Sequence, residues 1–156
     1  MAVVETMQYT AWADLFNAAD FNALASNGFI RSTATAVDNS TGYLWMDVSF
    51  IMATSTVSPT LNAGLDLMIL PQLHDGSTYV SGDDGTTEAN FPGAGNLAGR
   101  ISFWQKSSSQ VNGYLRKIDV PYGSFKVGVI NRMNVAMPSS STNMTCKYRL
   151  GRPVFT

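Results

Sequence analysis

Few side chains in this 156-residue chain could do covalent chemistry, for it has one histidine, His74, and one cysteine, Cys146. A Ser-His-Asp or Cys-His arrangement would have to recruit His74, because a hydroxyl or thiol nucleophile needs a base to take its proton. The neighbourhood of that residue, Leu73-His74-Asp75-Gly76, reads as a turn following a strand. A hydrolase would need a concave site there, with Asp75 as the poised carboxylate. No Gly-x-Ser-x-Gly elbow, phosphate-binding loop, dinucleotide fingerprint or His-Glu-x-x-His motif accompanies it. A lone cysteine forms no intrachain disulfide, and a cysteine-based zinc site lacks its other ligands. Asp83-Asp84-Gly85-Thr86-Thr87-Glu88 offers hard oxygen ligands, but its spacing departs from the calcium-binding EF-hand pattern, so a solvated acidic loop is expected. The chemistry-bearing residues therefore predict neither catalysis nor a metal or cofactor.

Composition points instead to a β protein. Hydrophobic residues make up 45% of the chain, charged residues 13% and aromatic residues 11%, with a net charge of -1. Ser, Thr, Gly and Asn number 16, 14, 13 and 11. The apolar fraction suffices for one core. Apolar stretches such as Leu67 to Leu70, stopped by Pro71, fall far short of the roughly 20 residues that a membrane-spanning helix needs. Met1-Ala-Val-Val-Glu5 has no basic, apolar secretory leader, so a cytosolic origin is expected. The sequons at Asn39 and Asn143 would matter only on a secreted chain.

Periodicity places the elements. Trp12, Leu15, Phe16, Ala19 and Ala23 recur at helical spacing, predicting a short helix within Thr10 to Asn27, stopped by Asn27-Gly28; Asp20 offers a competing start for a helix over Phe21 to Ser26. From there the period is 2. Leu44, Met46, Val48, Phe50 and Met52 share one strand face, and Leu61, Ala63, Leu65, Leu67 and Ile69 another, up to Pro71. Residues 72–99 are rich in turn residues and read as a long loop with one short strand at Thr78 to Val80. Strands are predicted again over Arg100 to Lys106, Gly113 to Val120, Ser124 to Asn131 and Thr142 to Leu150, where Cys146 falls on the inward face. With a strand at Ala34 to Val37 the sum is an all-β chain, an antiparallel jelly roll or β-sandwich of seven to eight strands with a short N-terminal helix; a barrel stays open. Residues 1–28 form an N-terminal segment and residues 29–156 the sandwich of a single domain.

Charge is segregated along the sequence. Residues 1–99 carry ten acids and one base, a net -9, whereas residues 100–156 carry nine bases and one acid, a net +8. A polarised surface would suit a charged support or head-to-tail association, while interleaving of the two parts in a sandwich would cancel it. The basic strands lack an aromatic stacking platform of the kind RNA-binding sheets use, so no nucleic-acid partner is expected.

Four segments in order, Trp12 to Gly28 (WADLFNAADFNALASNG), Val37 to Phe50 (VDNSTGYLWMDVSF), Val120 to Asn131 (VPYGSFKVGVIN) and Met144 to Arg149 (MTCKYR), together resemble the small jelly-roll decoration, or cement, proteins of tailed-bacteriophage capsids and related virion structural proteins. The resemblance implies a non-enzymatic protein made in the host cytoplasm and seated on the outer surface of the virion, bridging the major capsid protein and self-associating. Candidate contacts are Trp12 and Phe16 in the N-terminal segment, Asp83, Asp84 and Phe91 in the Gly82 to Gly99 loop, and Arg149, Arg152 and Phe155 in the C-terminal tail. A carbohydrate- or receptor-binding jelly roll of a phage tail or fibre is the alternative, served by Tyr79, Phe91 or Tyr122.

Overall fold

The computed structural model describes residues 4–32, 36–52, 63–80, 96–105, 110–139 and 144–155. These form ten strands: β1 (Glu5–Tyr9), β2 (Ala13–Phe16), β3 (Phe29–Arg31), β4 (Val37–Asn39), β5 (Trp45–Met52), β6 (Gly64–Pro71), β7 (Leu97–Gln105), β8 (Val111–Asp119), β9 (Gly123–Asn131) and β10 (Met144–Phe155). Every pairing is antiparallel. The order is β1-β10-β5-β8-β7-β6-β9-β3, with β2 also on β10 and β4 also on β9. β7 is shared between two halves: Leu97 to Ser102 pair with β6, and Phe103 to Gln105 with β8. One continuous core joins the halves, taking Met46, Val48, Phe50 and Met52 from β5, Leu65, Leu67 and Ile69 from β6, Phe125, Val127 and Val129 from β9, and Met144, Cys146 and Leu150 from β10. The architecture is thus all-β and sandwich-like, and the alternation read from these four strands is that of their core faces, except that Leu44 precedes β5 and is exposed and Leu61 lies outside the described residues.

The short N-terminal helix is a correction. Residues 13–16 are strand β2 on the edge of β10, followed by a single 3-10 turn over Ala18–Phe21. The turn is closed by the Asp20 amide donating to the Asn17 carbonyl (3.0 Å) and the Asn17 amide donating to the Asp20 carboxylate (3.0 Å). Asn22 then leaves helical geometry at ψ 121° and Ala23 turns left-handed at φ 50°, so no helix runs on to Ser26. A one-turn nucleus has little stability of its own, whereas the edge of β10 supplies ladder hydrogen bonds at once. A bulge in that pairing, between Cys146 and Lys147, lets both Leu15 and Phe16 enter the core. Their adjacency produced the helical spacing in the sequence. Among the described residues ten strands replace the predicted seven to eight, because the N-terminal segment pairs as β1 and β2 and Phe29–Arg31 pairs as β3. The strand predicted at Thr78 to Val80 is a single bridge between Tyr79 and Gln72. Of the one predicted at Ala34 to Val37, Ala34 and Thr35 lie outside the described residues and Val37 opens β4.

Asn131, fully buried at the end of β9, ties the segment after the 3-10 turn to the body. Its Nδ2 donates to the carbonyls of Leu24 (2.9 Å), Ala25 (3.2 Å) and Val135 (2.8 Å), and its Oδ1 accepts from the Met133 amide (2.9 Å). An apolar residue here would leave the Met133 amide and these carbonyls without the partner that Asn131 supplies. Asn131→Ala is expected to cost about 2–4 kcal/mol, read as a lowered midpoint in urea with an unchanged slope.

Candidate functional site

A sheet buries one face and leaves the other to solvent or to partners. On β5 the core face is fixed by Met46, Val48, Phe50 and Met52, so Trp45, Asp47, Ser49 and Ile51 must point outward. Register extends that outer face: Thr145, Lys147, Arg149 and Gly151 of β10 lie opposite Ile51, Ser49, Asp47 and Trp45, and Asn112 and Tyr114 of β8 lie opposite Ile51 and Ser49.

At its centre is a buried charge. Asp47 is fully buried although it faces outward. Its Oδ2 accepts from the Tyr114 hydroxyl (3.1 Å) and from Nε and Nη2 of Arg149 (3.0 and 2.9 Å), while its Oδ1 accepts from the Lys117 amide (3.0 Å). That amide is available because β8 bulges here: the β5–β8 register shifts between Met46 and Val48, and Lys117 sits at φ 52°. A lysine in the left-handed region is strained, and the carboxylate that takes its N–H holds it there. Burial alone would raise the Asp47 carboxyl; the Lys117 amide, the Arg149 guanidinium and the Tyr114 hydroxyl outweigh it and hold the group below its ordinary value. Burial, together with the neighbouring carboxylate, raises the Tyr114 phenol.

Arg149 carries the structure outward. Its guanidinium lies 4.0 Å from the Tyr9 ring centroid and 4.9 Å from that of Trp12, and Trp12 also meets Tyr114 at 6.3 Å. Next to it Gly151 admits Trp45: a Cβ at this position would run into the indole and into the Tyr9 ring. The indole N–H of Trp45 is buried without an acceptor among the described residues, with Lys117 Nζ 5.3 Å from its ring centroid.

Two shallow cavities open on this face and share Ser49 and Ile51. One, about 270 Å3, is walled by Trp12, Thr145 and Lys147; the other, about 330 Å3, by Trp104, Asn112 and Tyr114. Together they make a groove with an indole at either end, Trp12 being 40% and Trp104 49% exposed. Between them Ile51 supplies an apolar floor, while Ser49, Asn112 and Thr145 supply hydroxyl and amide groups.

The predicted contact residues divide. Trp12 and Arg149 meet on this face, and Phe155 follows along the same face of β10, 64% exposed. Arg152, on the opposite side of β10, binds Gln8 Oε1 (2.8 Å) and the Thr41 carbonyl (3.2 Å). Phe16 lies in the core against Phe21, so its ring is closed to another chain. Asp83, Asp84 and Phe91 lie outside the described residues. Tyr79 is buried, with Lys126 Nζ 5.0 Å from its ring centroid, whereas Tyr122 is 78% exposed. Cys146 is a core residue whose thiol burial pushes up, as for an inert thiol. Near His74, the Thr78 hydroxyl and the Ser77 and Thr78 amides hold the Asp75 carboxyl down at about 2, which makes it a weak base. No three His, Cys, Asp or Glu side chains among the described residues are grouped to hold a metal, and no described helix is long and apolar enough to cross a membrane. Sequence reading missed Ser49, Ile51, Trp104 and Tyr114, which only the register brings together.

No protein-family model, curated protein or solved structure matches the chain.

Because the folded-state pKa of Asp47 is depressed, its contribution is complete above the unfolded value near 4 and fades as pH falls through the lower folded value. Asp47→Asn should lose about 2–4 kcal/mol at pH 7 and show a shallower loss of stability below pH ~4 than the parent. Urea titrations between pH 7 and pH ~2 check both.

Proposed function

We propose that this chain is a non-enzymatic virion structural protein, a decoration protein that seats on the outer surface of a tailed-phage capsid, bridges major capsid protein subunits and stabilises the shell. On this reading the sandwich is a jelly roll, and the groove between Trp12 and Trp104 is its capsid contact. The observation that carries the reading is this pair of exposed indoles, Trp12 between β1 and β2 and Trp104 on β7, at the ends of one apolar-floored groove. Indoles anchor interfaces because they bury large area for little lost rotamer freedom. Hydroxyl and amide groups around the groove suit an interface rim. The four-segment resemblance supports the same role. Many copies on one particle make modest contacts effective together.

The groove also suits a second reading, a carbohydrate-binding module of a tail or fibre. Indole faces flanked by Ser49, Asn112 and Thr145 offer both the apolar and the hydrogen-bonding surface that a sugar ring presents.

Co-sedimentation with phage heads lacking the protein separates the two. Saturable binding with a raised rupture temperature of the decorated heads is the expected result. The Trp12→Ala and Trp104→Ala variants should each bind at least about tenfold more weakly while melting within a few degrees of the parent. Absence of head binding together with sugar-dependent retention on host cells would favour the second reading.

A further inference from the structure

We infer that the free edge of β1 pairs with the same edge of a second copy, as an antiparallel two-stranded junction centred on Met7. The inference is independent of the role proposed above and rests on backbone geometry. β1 ends the sheet, and no described strand lies beyond it. Its register on β10 runs without a bulge from Glu5 opposite Phe155 to Tyr9 opposite Gly151. In an antiparallel ladder, hydrogen-bonded and non-bonded pairs alternate. Three observations fix which is which. The Thr10 amide donates to the Leu150 carbonyl (2.9 Å), making the adjacent Tyr9–Gly151 pair non-bonded. The Gly151 carbonyl is instead taken from the far side of β10, by the Leu44 amide (3.0 Å). Met7 faces Pro153, which has no N–H to give. The N–H and C=O groups of Glu5, Met7 and Tyr9 therefore aim away from β10, into the open edge.

Three of the usual guards against pairing are missing from β1 itself. β1 contains no proline, no lysine and no bulge. Its side chains are self-complementary about a two-fold axis at Met7. Glu5 of one copy falls opposite Tyr9 of the other, whose ring lies 4.0 Å from the Arg149 guanidinium, so each end brings an acid towards a guanidinium whose Nε and Nη2 are taken by Asp47 and whose Nη1 has no acceptor among the described residues. Met7 meets Met7 at the centre. On the same face each Met7 has Pro153 and the 64% exposed Phe155 for neighbours, so the exposed apolar strips of the two copies join. A second copy fits this edge better than an unrelated strand, because the charge pattern complements itself in this register.

About six ladder hydrogen bonds and a short apolar strip make a small interface, and small interfaces are weak alone. Sedimentation equilibrium of the full chain from ~10 µM to ~1 mM should show the average mass climbing towards twice the monomer. Met7→Pro tests the geometry directly: its amide is unused in the β1–β10 ladder, so the variant should keep the parent's melting temperature and remain monomeric. Glu5→Arg should weaken pairing about fivefold or more. Hydrogen exchange gives a second readout, with the Glu5, Met7 and Tyr9 amides slowed at high protein concentration and the Gln8 amide unchanged. A parent that stays monomeric throughout would overturn the inference. So would a Met7→Pro variant that still pairs, or one that unfolds because position 7 needed its amide. Pairing is measured without capsids, so its failure leaves the docking role standing, and the reverse holds too.

Discussion

A carboxylate removed from water must be repaid by donors placed around it, and at Asp47 those donors come from two neighbouring strands. Tyr114 and Lys117 belong to β8 and Arg149 to β10, so a single side chain fixes β5 in register with both. The same demand bends β8, because the Lys117 amide reaches the carboxylate only through a bulge with a left-handed residue. It also orients Arg149, which then presents its guanidinium to Tyr9 and Trp12. The outer groove is thus built upward from a charge: carboxylate, guanidinium, indole.

The segregation of charge along the sequence finds its reason here as well. Four ion pairs each join an acid from the first 99 residues to a base from the rest: Asp47 to Arg149, Asp66 to Arg100 and to Arg132, and Asp14 to Lys147. Asp66 repeats the logic of Asp47 on the second half of the sheet. Burial would raise its carboxyl, and the two guanidinium groups hold it low. Interleaving of strands from the two parts of the chain sets these acids and bases side by side, which works against the polarity that the sequence suggests. The exposed Asp14–Lys147 pair contributes little to stability by itself.

What could be read from the sequence follows from how local each signal is. Core faces of β5, β6, β9 and β10 were legible because a period of 2 survives within one strand. β2 was not, since two adjacent buried residues, Leu15 and Phe16, mimic helical spacing when a bulge turns both inward. Tyr79 looked like an exposed loop aromatic, but it is buried, with Lys126 of β9 over its ring. Of the groove, Trp12 alone was singled out. Ser49, Ile51, Trp104, Asn112, Tyr114 and Thr145 come from four strands, and only their register makes them neighbours. Asp47 carried one weak signal, an acid between Met46 and Val48 in an otherwise apolar run.

The most direct test of the central claim is hydroxyl-radical footprinting of the free and head-bound protein, read residue by residue by mass spectrometry. If the outer face of β5, β8 and β10 meets the capsid, oxidation of Trp12 and Trp104 should fall sharply on binding while that of Tyr122, which lies in the β8–β9 turn, lines neither cavity and is openly exposed, stays the same. Unchanged oxidation of both tryptophans on saturated heads would contradict the account.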